Sequence, residues 1–247
     1  MEGPTEIVPG VHGLGSELIN WYLVEADGGL VAVDAGLSGF ASTLEADLAA
    51  IGHRPEDVAA LVLTHSDADH TGLARTLHEA GARVLVHSDD EATLAKPGPK
   101  SGDASPRHMW PLLLQPGFYT LSVHFARRGG ARPPKFEGAE TFTDGEVLDV
   151  PGSPRVVHTP GHTPGHCVIN FESLGALFVG DALCTLQPVT RSEGPQLMPR
   201  QMNVSNAGAI EAWGRIEPLA AEVVLPGHGE PWRGSPADAI GRARAAL

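Results

Sequence analysis

Apolar residues in this chain fall into short runs closed by glycine, proline or polar residues, with stretches of helical spacing between them. Val58-Ala59-Ala60-Leu61-Val62-Leu63 reads as a buried strand, bounded by Pro55 upstream and polar residues downstream. Arg155–His158, Ala176–Val179 and Glu222–Leu225 read the same way, as does Arg83–His87. Ile19–Val24 and Gly29–Asp34 read as a strand pair with a turn at Asp27-Gly28. Helices are predicted over Gly39–Ile51, with Ser42, Thr43 and Glu45 near its start, and over Gly72–Ala80, ending at Gly81. Further helices are predicted over Asp89–Ala95, Asn206–Ile216 and Pro236–Ala246. Alternation of this kind predicts a layered α/β fold, and 247 residues fit one domain.

One segment breaks the pattern. Lys96 to Glu140 carries Pro97, Pro99, Pro106, Pro111, Pro116, Pro133 and Pro134, yet holds the apolar stretches Met109–Leu114 and Phe118–Leu121. A long loop inside a compact domain is functional or disordered, and the apolar content favours a packed lid. Arg127, Arg128 and Arg132 are candidates to meet an anionic substrate, with a solvated charged rim as the equal alternative. A second such region, Leu186 to Val204, carries Arg191, Met198, Arg200 and Met202.

The chemistry collects at strand ends. Thr64-His65-Ser66-Asp67-Ala68-Asp69-His70 directly follows the Val58–Leu63 run and places four metal-competent side chains close together. A loop can turn several side chains toward one point, whereas a strand alternates them between faces. Imidazole and carboxylate together suit zinc and related divalent metals. Three more strand ends share the design, at His162, Asp181 and His228. In each a His or Asp follows a Gly, which lets the backbone approach closely or take positive φ.

These four pieces resemble the metallo-β-lactamase-fold hydrolases, over nearly the whole chain from about Ile7 to about Trp232. The family's HxHxDH motif reads His65-x-Asp67-x-Asp69-His70 here. The GHTPGH segment supplies His162, the Gly-Asp pair supplies Asp181, and the late PGHG supplies His228. Val33-Asp34-Ala35-Gly36 looks like the family's structural Asp after an early strand. The resemblance implies a four-layer αββα sandwich in a single domain, 1–247, with a substrate-lid insertion at about 96–140. It implies that His65, Asp67 and His162 hold one metal, that Asp69, His70 and His228 hold a second, and that Asp181 bridges them. Two zinc ions per chain are expected, with manganese or iron as alternatives. The implied nucleophile is a metal-bound hydroxide, with Asp69 as the catalytic residue that orients it or protonates the leaving group.

Asp67 departs from the pattern, because the family has His there. Carboxylate is still a zinc ligand, but it is harder than imidazole and shifts preference toward metals such as manganese. The alternative is that Asp67 points away and leaves His65, His162 and Asp181. His166 and His158 are expected in supporting or packed positions. Cys167 and Cys184 are expected as small buried hydrophobes.

The bridging Asp181 resembles the thioesterase and lactonase branches, including glyoxalase II, whereas lactamases of this fold usually carry Cys or Ser there. The expected activity is therefore hydrolysis of a small-molecule ester, lactone or thioester. The alternatives are an iron-dependent redox or dioxygenase member of the same superfamily, or a β-lactam hydrolase. A formal net charge of −13 disfavours a nucleic-acid partner. No apolar run approaches the ~18 residues of a membrane span. The acidic N-terminal stretch lacks the pattern of a signal peptide, and two cysteines form no disulfide framework, so a cytoplasmic location is expected.

Overall fold

The computed structural model describes residues 3–130 and 135–247, so Arg132, Pro133 and Pro134 lie outside the described residues. The first sheet runs β1 (Thr5–Val8), β2 (Val11–Gly15), β3 (Asn20–Ala26), β4 (Gly29–Val33), β5 (Val58–Val62), β6 (Arg83–His87) and β7 (Glu140–Phe142), in that spatial order. Its first four strands are antiparallel and β4 to β7 are parallel. The β3–β4 turn is the predicted Asp27-Gly28. Both residues have positive φ, 48° and 74°, the handedness that matches strand twist in a two-residue hairpin.

The second sheet is built from β8 (Arg155–His158), β9 (Cys167–Phe171), β10 (Ala176–Gly180), β13 (Val223–Pro226) and β14 (Trp232–Arg233). Its order is β14-β13-β10-β9-β8, with β10 and β13 parallel. A separate two-stranded ribbon pairs β11 (Cys184–Leu186) with β12 (Glu193–Gln196).

Period-two alternation sorts the apolar side chains into three cores. Trp21 and Leu23 of β3 face outward, toward α1 (Leu44–Ala50), α2 (Ala74–Glu79) and α3 (Ser88–Ala95), while Tyr22 and Val24 face the second sheet. In the second sheet Phe178 of β10 meets Tyr22 edge-on, with ring centroids 5.2 Å apart. Leu177 and Val179 point the other way, onto α5 (Asn206–Ile216) and α6 (Pro236–Ala245). Helix, sheet, sheet, helix is the four-layer sandwich expected. Full burial of each Leu, Val or Phe contributes roughly 1.5–3 kcal/mol, so the inter-sheet core is the main tie between the halves.

Three elements depart from the pattern. The helix expected over Gly39–Ile51 is a 3-10 turn, Ser38–Ser42, followed by α1. Gly39 donates to the Arg128 carbonyl at 2.9 Å, and its Cα lies so close to Arg128 that a Cβ would be 2.8 Å from that backbone. The helix expected from Gly72 begins at Ala74, because the Gly72 and Leu73 amides bond the carbonyls of Gly36 and Ala35 instead. The proline-rich segment contains a helix that alternation did not predict, α4 (Pro116–Arg127), which opens on proline at its first position. Among the described residues no helix is long and apolar enough to cross a membrane.

The topology brings the chemical residues together. β4 and β5 run parallel, as do β10 and β13, and β8 points the same way through two antiparallel steps. Their C-terminal ends therefore meet at one edge of the sandwich. Asn20 and Tyr22 reach across this edge to the Pro226 carbonyl, at 3.0 and 2.6 Å.

Candidate metal centre

His65, Asp67, Asp69, His70, His162, Asp181 and His228 all converge on this edge, and all but Asp67 are buried. The contacts form two groups. In one, His70 Nε2 lies 3.4 Å from Asp181 Oδ1 and 3.9 Å from Asp69 Oδ2, and His228 Nε2 lies 3.3 Å from Asp181 Oδ2 and 3.5 Å from Asp69 Oδ2. In the other, Asp67 Oδ2 lies 2.9 Å from His162 Nε2 and 3.7 Å from His65 Nε2. Asp181 Oδ2 also comes within 3.4 Å of His162 Nε2, so this carboxylate stands between the groups.

Each ring is fixed through its other nitrogen. His65 Nδ1 meets Thr64 Oγ1 at 2.9 Å, His70 Nδ1 meets Asp34 Oδ2 at 2.8 Å, and His162 Nδ1 meets Asn203 Oδ1 at 2.9 Å. His228 Nδ1 meets the Leu18 carbonyl. Such partners orient a metal-ligating imidazole and set its tautomer. Asp34 is the hub. It accepts from the Thr64 amide at 2.8 Å, from the Thr64 hydroxyl and from His70. Its φ of 58° is left-handed, which for a non-glycine residue costs on the order of 1–3 kcal/mol and is offset by those bonds.

Two glycines let the strand ends close in. A Cβ on Gly227 would lie 2.5 Å from Asp181 Oδ1 and 2.6 Å from His70 Cε1. A Cβ on Gly180, with φ at 47°, would lie 2.6 Å from Thr64 Oγ1.

The electrostatics are those of a cation site. Burial opposes charge on His70, but Asp34, Asp181 and Asp69 raise its pKa well above the ordinary value. Burial likewise opposes charge on His228, which Asp181 and Asp69 nevertheless push up to about 9. The Asp181 carboxyl is held well below the usual range, against burial, by His228, His70 and His162. The field that draws protons onto these rings also draws a divalent ion. His65 Nε2, His70 Nε2 and Asp181 Oδ1 are buried with no hydrogen-bond partner among the described residues. Such atoms ordinarily cost free energy unless something binds them. The residues therefore fit a metal.

His166 stands behind the cluster. It accepts the Asp181 amide on Nε2 at 3.1 Å and meets Thr159 Oγ1 through Nδ1 at 2.9 Å. Burial, His65 and His162 hold its pKa well below the ordinary value, so it stays neutral. His158 stacks on His87 at 4.1 Å and bonds the Pro164 carbonyl. His87, Asp89 and His158 lie close enough to form another candidate metal group. However, His87 Nδ1 is engaged by the Asp89 amide and His158 Nε2 by the Pro164 carbonyl. Cys167 and Cys184 are buried, and burial pushes both thiols up.

Two residues at the site were not among the candidates read from the sequence. Asp90 of α3 is fully buried and accepts from the Ser66 amide, the Thr163 hydroxyl and the Gly165 amide at 2.9, 2.8 and 2.7 Å. It ties the His65 loop to the His162 loop. Lys100 ion-pairs with Asp67 and approaches His162 Nε2 at 3.2 Å. Its only signal was indirect: an acid in place of a motif His calls for a compensating charge. Of the candidate arginines, Arg127 and Arg128 lie elsewhere. Arg128 packs over the Phe40 ring at 4.9 Å, and with Arg127 lines a separate hollow beside Glu17 and Tyr119.

Asp67, Asp69, His162, Asp181 and His228 line one side of a pocket of about 610 Å³. The opposite wall is apolar. Met109, Phe118, Leu121 and Phe125 come from the lid segment, and Met198 and Met202 from the second region flagged in the sequence.

A family model described as the metallo-beta-lactamase superfamily matches residues 14–228. The chain is 26% identical to the Bacillus subtilis (strain 168) protein named "Probable metallo-hydrolase YflN", over 93% of this chain and 87% of that one. Among solved structures, a metallo-beta-lactamase family protein from Thermus thermophilus is 28% identical. It superposes with a TM-score of 0.66 over 97% of this chain and 81% of its own. A Cronobacter sakazakii metallo-beta-lactamase with a HARLDQ motif shares the fold at 20% identity, with a TM-score of 0.68 over 98% of this chain and 92% of its own.

Proposed function

The chain belongs to the metallo-beta-lactamase superfamily, and we propose that within it this protein is a metal-dependent hydrolase of a small-molecule ester, lactone or thioester with an apolar body. The observation that carries this reading is the pocket itself. Asp67, Asp69, His162, Asp181 and His228 line one side, with an unpartnered Asp181 oxygen among them, and methionine and aromatic side chains complete the lining. Apolar walls with a few convergent polar groups are the usual form of a small-molecule site.

Residues that would hold metal are drawn from His65, Asp67, Asp69, His70, His162, Asp181 and His228. When bound, a divalent metal lowers the pKa of water toward about 7 and polarises a carbonyl. Asp69 stands on the pocket wall beside His228, where its carboxylate accepts the proton of the attacking water. The water oxygen bonds the acyl carbon, the acyl C–O or C–S bond breaks, and the proton held by Asp69 passes to the leaving alkoxide or thiolate. Asp34 and Thr64 keep His70 and His65 oriented throughout. Phe118 and Leu121 of the lid exclude bulk water from the reacting group.

The test is a substrate panel of lactones, thioesters, aryl esters and β-lactams, run on metal-loaded and chelator-stripped protein. Turnover of an ester, lactone or thioester that is lost on stripping and restored by zinc or manganese is expected. Turnover confined to β-lactams, or oxygen uptake with a thiol substrate and no hydrolysis, would overturn the substrate assignment.

A further inference from the structure

Resting on the metal-dependent reading of this site, we propose that it binds one divalent ion, not two, because the Lys100 ammonium permanently serves as the second cation. An ammonium has three N–H donors and no acceptor. Lys100 Nζ meets three acceptors: Asp67 Oδ2, His162 Nε2 at 3.2 Å and the Met202 carbonyl at 3.0 Å. Its donors are therefore all engaged.

The hydrogen bonds around His162 show what Lys100 replaces. Asn203 donates its amide hydrogens to the Met198 carbonyl at 3.3 Å and to Asn206 Oδ1 at 2.9 Å, so its Oδ1 faces His162 as an acceptor. His162 thus carries its proton on Nδ1, and Nε2 presents a lone pair. That lone pair lies 2.9 Å from a carboxylate oxygen of Asp67. Two acceptors so close repel unless a cation lies against both. Metal would perform this task in a two-ion centre. Here the Lys100 ammonium touches both atoms, and they are the two atoms that Asp67 and His162 would offer to an ion.

The charge that the protein's own side chains bring to this group is unchanged. A motif His at position 67 is neutral, and an Asp67–Lys100 pair is neutral too. Carboxylate and ammonium therefore read as two halves of one replacement, made 33 residues apart in sequence. Lysine is scarce in this chain, with only three in all, so its presence at this spot is not a matter of abundance.

The other group lacks any such partner. Among the described residues no lysine or arginine pairs with Asp69 or Asp181, and His70 Nε2 and Asp181 Oδ1 have no hydrogen-bond partner. Asp69, His70, Asp181 and His228 are thus the residues assigned to the single ion, with the orphaned His65 Nε2 beside them. Lys100 lines the pocket and contributes a fixed positive charge there, but all of its donors are spoken for. It acts as a positioning residue for Asp67 and His162.

The experiment is zinc stoichiometry. Full-length wild type, Lys100→Ala, Lys100→Met and Lys100→Arg are stripped, incubated with excess zinc, desalted and measured by elemental analysis, with circular dichroism to confirm folding. Wild type and Lys100→Arg are expected to retain about one ion per chain, and Lys100→Ala and Lys100→Met about two. If Lys100→Ala does not fold, Lys100→Met, which keeps the side-chain volume, reports the same quantity. Two ions in wild type, or one ion in the folded neutral variants, would overturn the role given to Lys100. No ion in any folded protein would instead sink the metal-dependent reading on which it rests.

Discussion

Across the pocket, the strand-end wall and the lid wall differ in what fixes their side chains. On the strand-end wall His65, His70, His162 and His228 each have the far ring nitrogen engaged by a neighbour, and Asp34 and Asp90 knit the loops behind them. On the facing wall Met109 lies between two short 3-10 turns and Phe118 and Leu121 lie on α4, and their side chains are placed by apolar contact. Hydrogen bonds specify direction, so they can aim a ligand atom. Apolar contacts specify only proximity and tolerate repacking. The wall proposed to hold metal is bonded, and the wall proposed to take the substrate body is greasy. The lid also leaves Trp110, Leu114 and Tyr119 exposed at 65%, 73% and 56%, whereas the cluster residues other than Asp67 are buried.

This contrast breaks most sharply at Asp181 and His70. Asp181→Asn or His70→Ala is expected to abolish metal retention and lower kcat/KM by about a thousandfold or more, the loss of several kcal/mol. Elemental analysis and steady-state kinetics check this. If either variant kept both metal and rate, the strand-end wall would not be the chemical one.

Asp34→Asn comes next. It leaves every candidate ligand in place but weakens the anchor of His70 and Thr64, so metal affinity should fall by about 10–100-fold. Competition against a chelating dye measures it, and saturating metal should restore most of the rate.

On the lid, Phe118→Ala should leave metal content unchanged while raising KM by about tenfold, the scale of one apolar contact in a pocket. A comparable loss in kcat at saturating substrate would mean that the lid shapes the chemical step as well.

The smallest effect is expected behind the strand-end wall. Burial, then His158, lowers the pKa of His87 below its ordinary 6.5, and its Nδ1 accepts the Asp89 amide at the start of α3. A depressed histidine resists protonation in the folded state only. Its penalty is absent above about 6.5 and grows as pH falls below that value toward the folded pKa. Denaturant melts at pH 7.5 and pH 5 should show a smaller acid loss in His87→Asn than in wild type. His166 is depressed too and should contribute the same background to both.

Much of this arrangement was legible in the amino-acid order. Short apolar runs predicted β5, β6, β8, β10 and β13 to within a residue or two, and Asp27-Gly28 predicted the β3–β4 hairpin. The residues after β5, β10 and β13 and in the loop after β8 were readable as candidates because their types and spacing are local properties. The structure brings all seven together. β9 was missed because Asn170 breaks the apolar run of Cys167–Phe171 without setting up a clean alternation. α4 was missed because prolines crowd the segment around it. The two helix starts that moved by several residues did so where amides found partners far along the chain, as at Gly39 with Arg128 and Gly72 with Gly36.

Local patterning thus settled the layered fold and the roster of imidazoles and carboxylates, since strand period, turn chemistry and motif spacing act over a few residues. Long-range packing settled which of those atoms are orphaned and which are already answered. Lys100 reaches Asp67 and His162 across 33 and 62 residues of chain, and Asp90 joins two loops across 24 and 75. Contacts of that separation exist only once both sheets have closed, because it is their packing that carries distant strand ends to a common edge.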